Sequence, residues 1–197
     1  MIDYRPEAPD DHAAIEILLD LTFGSERQLK KSYRFRKKVP PLGALCWVAH
    51  DTEQDGAHHG AQGEGRLVGT IRYWPIRVGP AGVPSLLLGP LGVAPERRGE
   101  GIGVTLVLRT MELARQAGVR TILLVGDLGY YARFGFEPAA PHGYRMPGEE
   151  PKRLQIEPLV PSALSEDAGL LRPATRATIQ ALDAEHPTWR WVDRAVG

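Results

Sequence analysis

A chain of 197 residues with a formal net charge of zero is long enough for a domain with its own core, and its charge balance offers no global attraction to nucleic acid or an anionic membrane. Hydrophobic residues at 43% and charged residues at 24% exclude a disordered polymer, so the 22 glycines and 17 prolines are expected in turns. The N-terminus joins no basic segment to an apolar one, and no run approaches the roughly 18 apolar residues of a membrane span, so a cytoplasmic location is expected.

Asp10 or Asp11 can cap a first helix whose apolar positions Ala14, Ile15, Leu18, Leu19 and Thr22 recur at helical spacing, with Gly24 as its stop. A second helix is expected from Ser25 to the break at Pro40-Pro41, with Leu29 and Tyr33 inward and the basic residues Arg27, Lys30, Lys31, Arg34, Arg36, Lys37 and Lys38 on a solvated face. Residues 44 to 50 read as a strand, in which the lone Cys46 is a small buried thiol. The stretch from Asp51 to Gly65 has no periodicity and reads as a mobile hairpin loop; His58 and His59 within it lack further ligands at metal spacing, so no metal is expected.

Strands are expected from Leu67 to Val78 and from Val83 to Val93, paired antiparallel through the turn Gly79-Pro80-Ala81-Gly82. Val104, Val107, Leu108, Met111 and Ala114 then share one face of a helix from Gly101 to Gln116, stopped by Gly118 and followed by an apolar strand from Val119 to Val125. Strand, glycine-rich turn, helix and strand make a βαβ unit whose first turn is a natural ligand site. Beyond it a short helix is expected near Tyr130, a strand around Arg153 to Ile156, and a helix from Ala174 to Ala184. Residues 1–173 are read as the domain and 174–197 as an extension, whose Trp189 and Trp191 suit packing on the domain or on a second subunit.

Arg98-Gly99-Glu100-Gly101-Ile102-Gly103 opens the central helix. Glycines there remove the β-carbons that would hold a ligand off, so unpaired N–H groups and the helix dipole can meet phosphate oxygens, with Arg98 as a cation at the rim. No lysine follows as a Walker loop requires, and Val104 stands where a Rossmann fingerprint counted from Gly99 needs its third glycine, although Asp127 could imitate that fold's acidic residue.

Arg98-x-x-Gly101-x-Gly103 resembles the pyrophosphate loop of the GNAT superfamily of N-acetyltransferases, and Tyr131-Ala132-Arg133-Phe134-Gly135-Phe136 is similar to that family's Tyr-x-x-x-Gly-Phe motif. Leu88-Gly89-Pro90-Leu91 and Leu124 to Tyr131 resemble a bacterial branch labelled YhbS-like predicted acetyltransferases. The resemblance implies an α/β (α+β) fold, a mixed and mostly antiparallel sheet flanked by helices with two parallel strands splayed around acetyl-CoA. It implies that Leu91, Gly92 and Val93 hold the pantetheine arm through backbone groups. The stretch Arg98, Gly99, Glu100, Gly101, Ile102, Gly103 and Val104 would surround the pyrophosphate, with Tyr131 and Phe134 completing the cofactor site. Pro90, which has no N–H, suits a break in the ladder there.

The activity implied is transfer of the acetyl group to a primary amine of a small molecule or protein, with Tyr131 as general acid. A phenol of pKa about 10 stays protonated at neutral pH. Tyr130 could serve instead, or both rings could simply pack a short helix on the sheet. Ser85 to Val93 carries no carboxylate, so no base is evident; Asp127 suits either that role or a helix cap. The missing carboxylate leaves a non-catalytic acyl-CoA-binding regulatory domain as the alternative. A nucleic-acid module built on the basic segment ranks below both, because aromatic stacking partners are sparse there.

Overall fold

The structure, a computed structural model, describes residues 1–52, 65–160, 162–166 and 168–185. Strands β1 (Ile2–Pro6), β2 (Trp47–Asp51), β3 (Arg66–Val78), β4 (Val83–Val93), β5 (Thr121–Val125), β6 (Glu137–Pro138), β7 (Leu154–Pro158) and β8 (Leu171–Pro173) form one mixed sheet. Its order is β1-β2-β3-β4-β5-β7-β6, with β8 added to β3, and β4–β5 is the parallel pair among named strands that are otherwise antiparallel. The helices are α1 (His12–Phe23), α2 (Ile102–Gln116), α3 (Leu128–Tyr131), α4 (Ala163–Glu166) and α5 (Arg176–Glu185).

Both faces of the central strands are covered, which is why β3, β4 and β5 read as nearly unbroken apolar runs. Leu86, Leu88, Ile122 and Leu124 enter the core beneath α1 and α2, while Leu87 and Leu123 enter the opposite core with Phe35, Trp74, Ile76 and Tyr144. The hairpin between β3 and β4 closes with Val78 opposite Val83, and Gly79 and Gly82 take positive φ angles of 68° and 71° in the turn. The thiol of Cys46 is fully buried and accordingly pushed up to about 12.

Two helical expectations change. Residues 25–36 form short 3-10 turns, Ser25–Leu29 and Lys31–Arg36, interrupted by an extended Lys30. Leu29 is 77% exposed and Phe35 fills the core instead; Arg27 and Arg36, expected in solvent, are buried at 3% and 7% exposure. Arg27 is drawn in by Asp20 and Glu16 of α1, at 2.7 and 2.5 Å, and these ion pairs hold the segment against α1 in place of an apolar helix face. In α2 the buried face is Ile102, Gly103, Leu106, Val107, Thr110, Met111 and Ala114, and Leu108 is exposed. That face contains Gly103 and the polar Thr110, so apolar residues alone misplace its centre; Thr110 is accommodated by Tyr73 Oη at 2.9 Å.

The strand expected over residues 44–50 begins at Trp47, after a turn at Gly43–Leu45. The expected late strand and helix are β7 and α5. Most of the loop 51–65, including His58 and His59, and the pair Trp189 and Trp191 lie outside the described residues. No helix among the described residues is long and apolar enough to cross a membrane.

Candidate active site

The site begins where β4 leaves both neighbours. On one side Tyr73 faces Leu88 and Ile71 faces Leu91, so Gly89 and Pro90 together oppose Arg72 in a bulge, the ladder break that Pro90 suggested. On the other side Leu86, Leu87 and Leu88 pair with Ile122, Leu123 and Leu124, and the parallel register ends there. From Leu91 to Val93 the edge of β4 turned away from β3 therefore has no strand partner among the described residues, and a wedge opens between β4 and β5.

The glycine-rich loop closes one end of that wedge. Gly99 and Gly101 adopt φ angles of 89° and 80°, and a β-carbon at either would meet nothing within 4 Å, so what requires glycine is the left-handed backbone rather than crowding. Gly101 caps α2, whose first N–H groups have no intrahelical acceptor and face a cleft of about 470 Å³. This cleft is lined by Leu91, Val93, Arg98, Gly99, Gly101, Ile102, Gly103 and Val104 of the expected set, and by Tyr131.

Three expected residues are not among those lining this cleft. Gly92 lies in the unpaired stretch of β4, and a β-carbon there would point to α1, 3.0 Å from Leu19 Cδ2, so glycine lets α1 approach. Glu100 turns to Arg97 at 2.7 Å, and Arg97 also pairs with Asp51. Phe134 lies behind the tyrosines, its ring centroid 5.6 Å from that of Tyr130 and 6.3 Å from that of Tyr131. Conversely Thr22 and Phe23 from α1, and Arg97 and Arg133, join the wall without having been anticipated. For the α1 pair no local signal exists, because helical spacing marks Thr22 only as an inward position.

A second cavity, of about 600 Å³, is lined by Lys30, Tyr33, Arg36, Gly89, Pro90, Glu149 and Arg153, among others. Phe23, Leu91 and Tyr131 line both cavities, so the two spaces meet at these three side chains. Tyr131 is held there by α3. Asp127 caps that helix, accepting from Gly129 N–H at 3.3 Å, and Tyr131 N–H donates to the Asp127 carbonyl at 3.1 Å. Of the two readings of Asp127 the structure displays the cap, and the residue lines neither cavity.

Burial raises the Tyr131 hydroxyl above the ordinary phenol value, with the neighbouring Tyr130 adding to the rise; burial raises Tyr130 as well. The phenol therefore keeps its proton across the neutral range. The side chain is packed edge-on against Tyr130 at 4.9 Å and against Phe136 at 5.8 Å, which fixes the ring at the junction. No cluster of metal-ligating side chains exists among the described residues.

Comparison with known proteins agrees with this geometry. A crystal structure of the GNAT family N-acetyltransferase YhbS from Escherichia coli, in complex with CoA, superposes with a TM-score of 0.72 at 28% identity, covering 88% of this chain and 89% of that one. A GNAT family acetyltransferase from Brucella melitensis in complex with acetyl-CoA superposes with a TM-score of 0.60 at 28% identity, covering 91% and 98%. In sequence, the uncharacterized N-acetyltransferase YhbS of Escherichia coli K12 is 28% identical over 173 residues, 85% of this chain and 93% of the relative. The family model described as acetyltransferase (GNAT) family matches residues 17–136, more than half the length. With its open β4 edge, glycine-rich loop and junctional tyrosine, this chain belongs to the acetyltransferase (GNAT) family.

Proposed function

We propose that this protein of the GNAT family transfers the acetyl group of acetyl-CoA to a primary amine of a small molecule or protein, by direct attack in a ternary complex. The observation that carries the reading is the meeting of two cavities at Leu91 and Tyr131, one of them walled by the glycine-rich loop.

The residues present fit acetyl-CoA. N–H groups at the start of α2, with Arg98 at the rim, suit a pyrophosphate, and the unpaired edge of β4 suits an amide-bearing arm lying along it as an added strand. When bound, acetyl-CoA supplies an acetyl group activated as a thioester. In this reading a backbone N–H near Leu91 or Val93, both in the wall of the first cleft, stabilises the developing negative charge, and Tyr131 holds a proton at Oη for the departing sulfur. The amine enters from the second cavity, where Glu149 and Glu150 are the bordering carboxylates, and it loses its proton to one of them or to water. The second cavity supports catalysis over a purely acyl-CoA-binding role, which would need only the first.

We also read residues 1–173 as the catalytic domain and 174–197 as an extension, place the protein in the cytoplasm, and assign the extension to a contact within the domain or a homodimer. Light scattering of the full chain beside one ending at residue 173 separates these two.

The central experiment is calorimetric titration with acetyl-CoA, desulfo-CoA and NADH, repeated with Gly101→Glu. The expected result is saturable binding of both CoA compounds, lost in the variant, together with acetylation of amines in an acceptor panel. NADH binding alone would overturn the reading, and tight CoA binding without turnover of any amine would leave the non-catalytic alternative.

A further inference from the structure

Three arginines are buried among the described residues, and two have carboxylate partners. Arg27 is held by Glu16 and Asp20, and Arg72 by Glu7 at 2.6 Å and Glu16 at 3.3 Å. Arg36 has none. Its Nε and Nη1 are buried without a hydrogen-bond partner, and its guanidinium sits over the Tyr33 ring at 4.2 Å and near Trp74 at 5.9 Å. Burial holds its pKa down at about 10, with the charges of Arg27 and Arg72 acting the same way, against the raising effect of the Tyr33 hydroxyl.

Arg36 lines the second cavity, and a β-carbon on Gly89 would lie 3.5 Å from its Nη2. Gly89 is two residues from Leu91, a span of at most about 7 Å. The unpaired guanidinium is therefore separated from the junction of the two cavities by about the length of a small metabolite. The rest of the lining gives the cavity a surplus of positive charge. Glu149 faces Arg153 at 3.6 Å and Glu150 faces Lys152 at 3.1 Å, so the bordering carboxylates are already engaged. Lys30 has its pKa lowered by burial first, and then by the positive charges of Arg153 and Arg36.

We propose that Arg36 binds an anionic group of the acceptor, a carboxylate or a phosphate, so that the substrate is a small amine carrying that anion within a few bonds of its nitrogen. The assignment rests on the acetyltransferase reading above. Each bidentate edge of a guanidinium pairs Nη2, the atom nearest Gly89, with Nε or Nη1, both of which lack a partner, so either edge suits a carboxylate or phosphate, and a buried cation with no carboxylate beside it is otherwise only a cost to the fold. The rings of Tyr33 and Trp74, 4.2 and 5.9 Å from the guanidinium carbon, hold the group in place beside the cavity.

The test compares amines that differ only in the anion, such as alanine beside ethylamine, lysine beside cadaverine, and phosphoethanolamine beside ethanolamine, by release of CoA from acetyl-CoA. We expect the best acceptor to be anionic, with a kcat/KM at least about tenfold above its anion-free counterpart, and that ratio to collapse in Arg36→Met while Arg36→Lys retains part of it. The carboxylate and phosphate arms identify which anion is used. A second measurement needs no turnover. With CoA saturating the other cleft, acetate or inorganic phosphate should raise the Tm of the wild type and not that of Arg36→Met, and Arg36→Met without anion should melt about 2–4 °C higher. An anion-free best acceptor, or a preference that survives Arg36→Met, overturns the proposal. So does a wild-type Tm indifferent to both anions. An anion-dependent Tm with no turnover of any amine would instead preserve the Arg36 site and remove the acetyltransferase reading.

Discussion

Gly126 and Tyr131 fit as one surface: a β-carbon at position 126 would lie 2.5 Å from Tyr131 Cε2 and 2.9 Å from Cδ2. The glycine directly follows β5 at the mouth of the wedge, and the ring it admits lines both cavities. Gly126→Ala must push the tyrosine off the junction. A displacement of about 1 Å is enough to lower turnover by about a hundredfold, and steady-state kinetics beside a calorimetric acetyl-CoA affinity checks this. Unchanged turnover in a folded Gly126→Ala protein would argue that the ring's position is not critical.

Tyr131→Phe keeps the ring contacts with Tyr130 and Phe136 and removes the proton. If Tyr131 is the acid, kcat falls by about 10²- to 10⁴-fold with acetyl-CoA affinity nearly intact. The pH profile carries the sign. A general acid must be protonated, and a phenol raised by burial ionises above about 10, so wild-type kcat should show no alkaline fall below that value. A fall near pH 8 that persists in Tyr131→Phe would assign the acid to another group.

Gly103 has a different reason for being glycine from Gly101. Its β-carbon would lie 2.9 Å from Tyr130 Oη and 3.3 Å from Val93 Cγ2, inside the cleft. Gly103→Ala should therefore weaken acetyl-CoA binding through crowding while leaving the melting temperature almost unchanged, since the Tyr130 hydroxyl can move. Gly101→Ala should cost about 1 kcal/mol of stability from its left-handed φ, readable by urea denaturation.

The buried pair of Arg72 and Glu7 ties the residues after β1 to the strand opposite the β4 bulge. Glu7→Ala leaves Arg72 without its principal partner and should cost about 3–5 kcal/mol, whereas the joint replacement Glu7→Leu with Arg72→Met should cost markedly less. Denaturation midpoints of the two proteins make the comparison.

His50 and Asp11 form a pH-sensitive joint between β2 and the start of α1, with Nε2 of the histidine 3.2 Å from Oδ1 of the carboxylate. The hydrogen bond to Asp11 raises the His50 pKa, so the stability it contributes is present below about 6.5 and is lost as pH rises through the folded value. For Asp11, burial acts upward but is outweighed by hydrogen bonds from His50, Arg5 and the Ala8 N–H, so its pKa is lowered and its contribution is lost only as pH falls below the usual carboxylate range. The stability difference between wild type and His50→Gln should thus be largest near about pH 5 to 6 and shrink towards about pH 9, as urea titrations at several pH values would report.

What the sequence determined by itself was local. The β3–β4 hairpin, the extent of α2, the parallel strand after it and the glycine-rich opening of the helix all follow from interactions within a few residues. Turn glycines, helical spacing and a proline without an N–H act at that range, and they place the loop from Arg98 to Val104 and the short helix carrying Tyr131. The tertiary structure decided what depends on distant charge and shape. Residues 25–36 carry a helical pattern too weak to stand alone, and it yields to ion pairs from α1 that bury Arg27; Arg36 is buried against Tyr33 and Trp74 without any. Phe23 reaches the junction because Gly92 lets α1 approach β4, and Gly126 matters only because a ring five residues later folds onto it. Charge pairing and close approach between segments remote in the chain leave no local spacing to read, so the second cavity took its form only when the sheet was assembled.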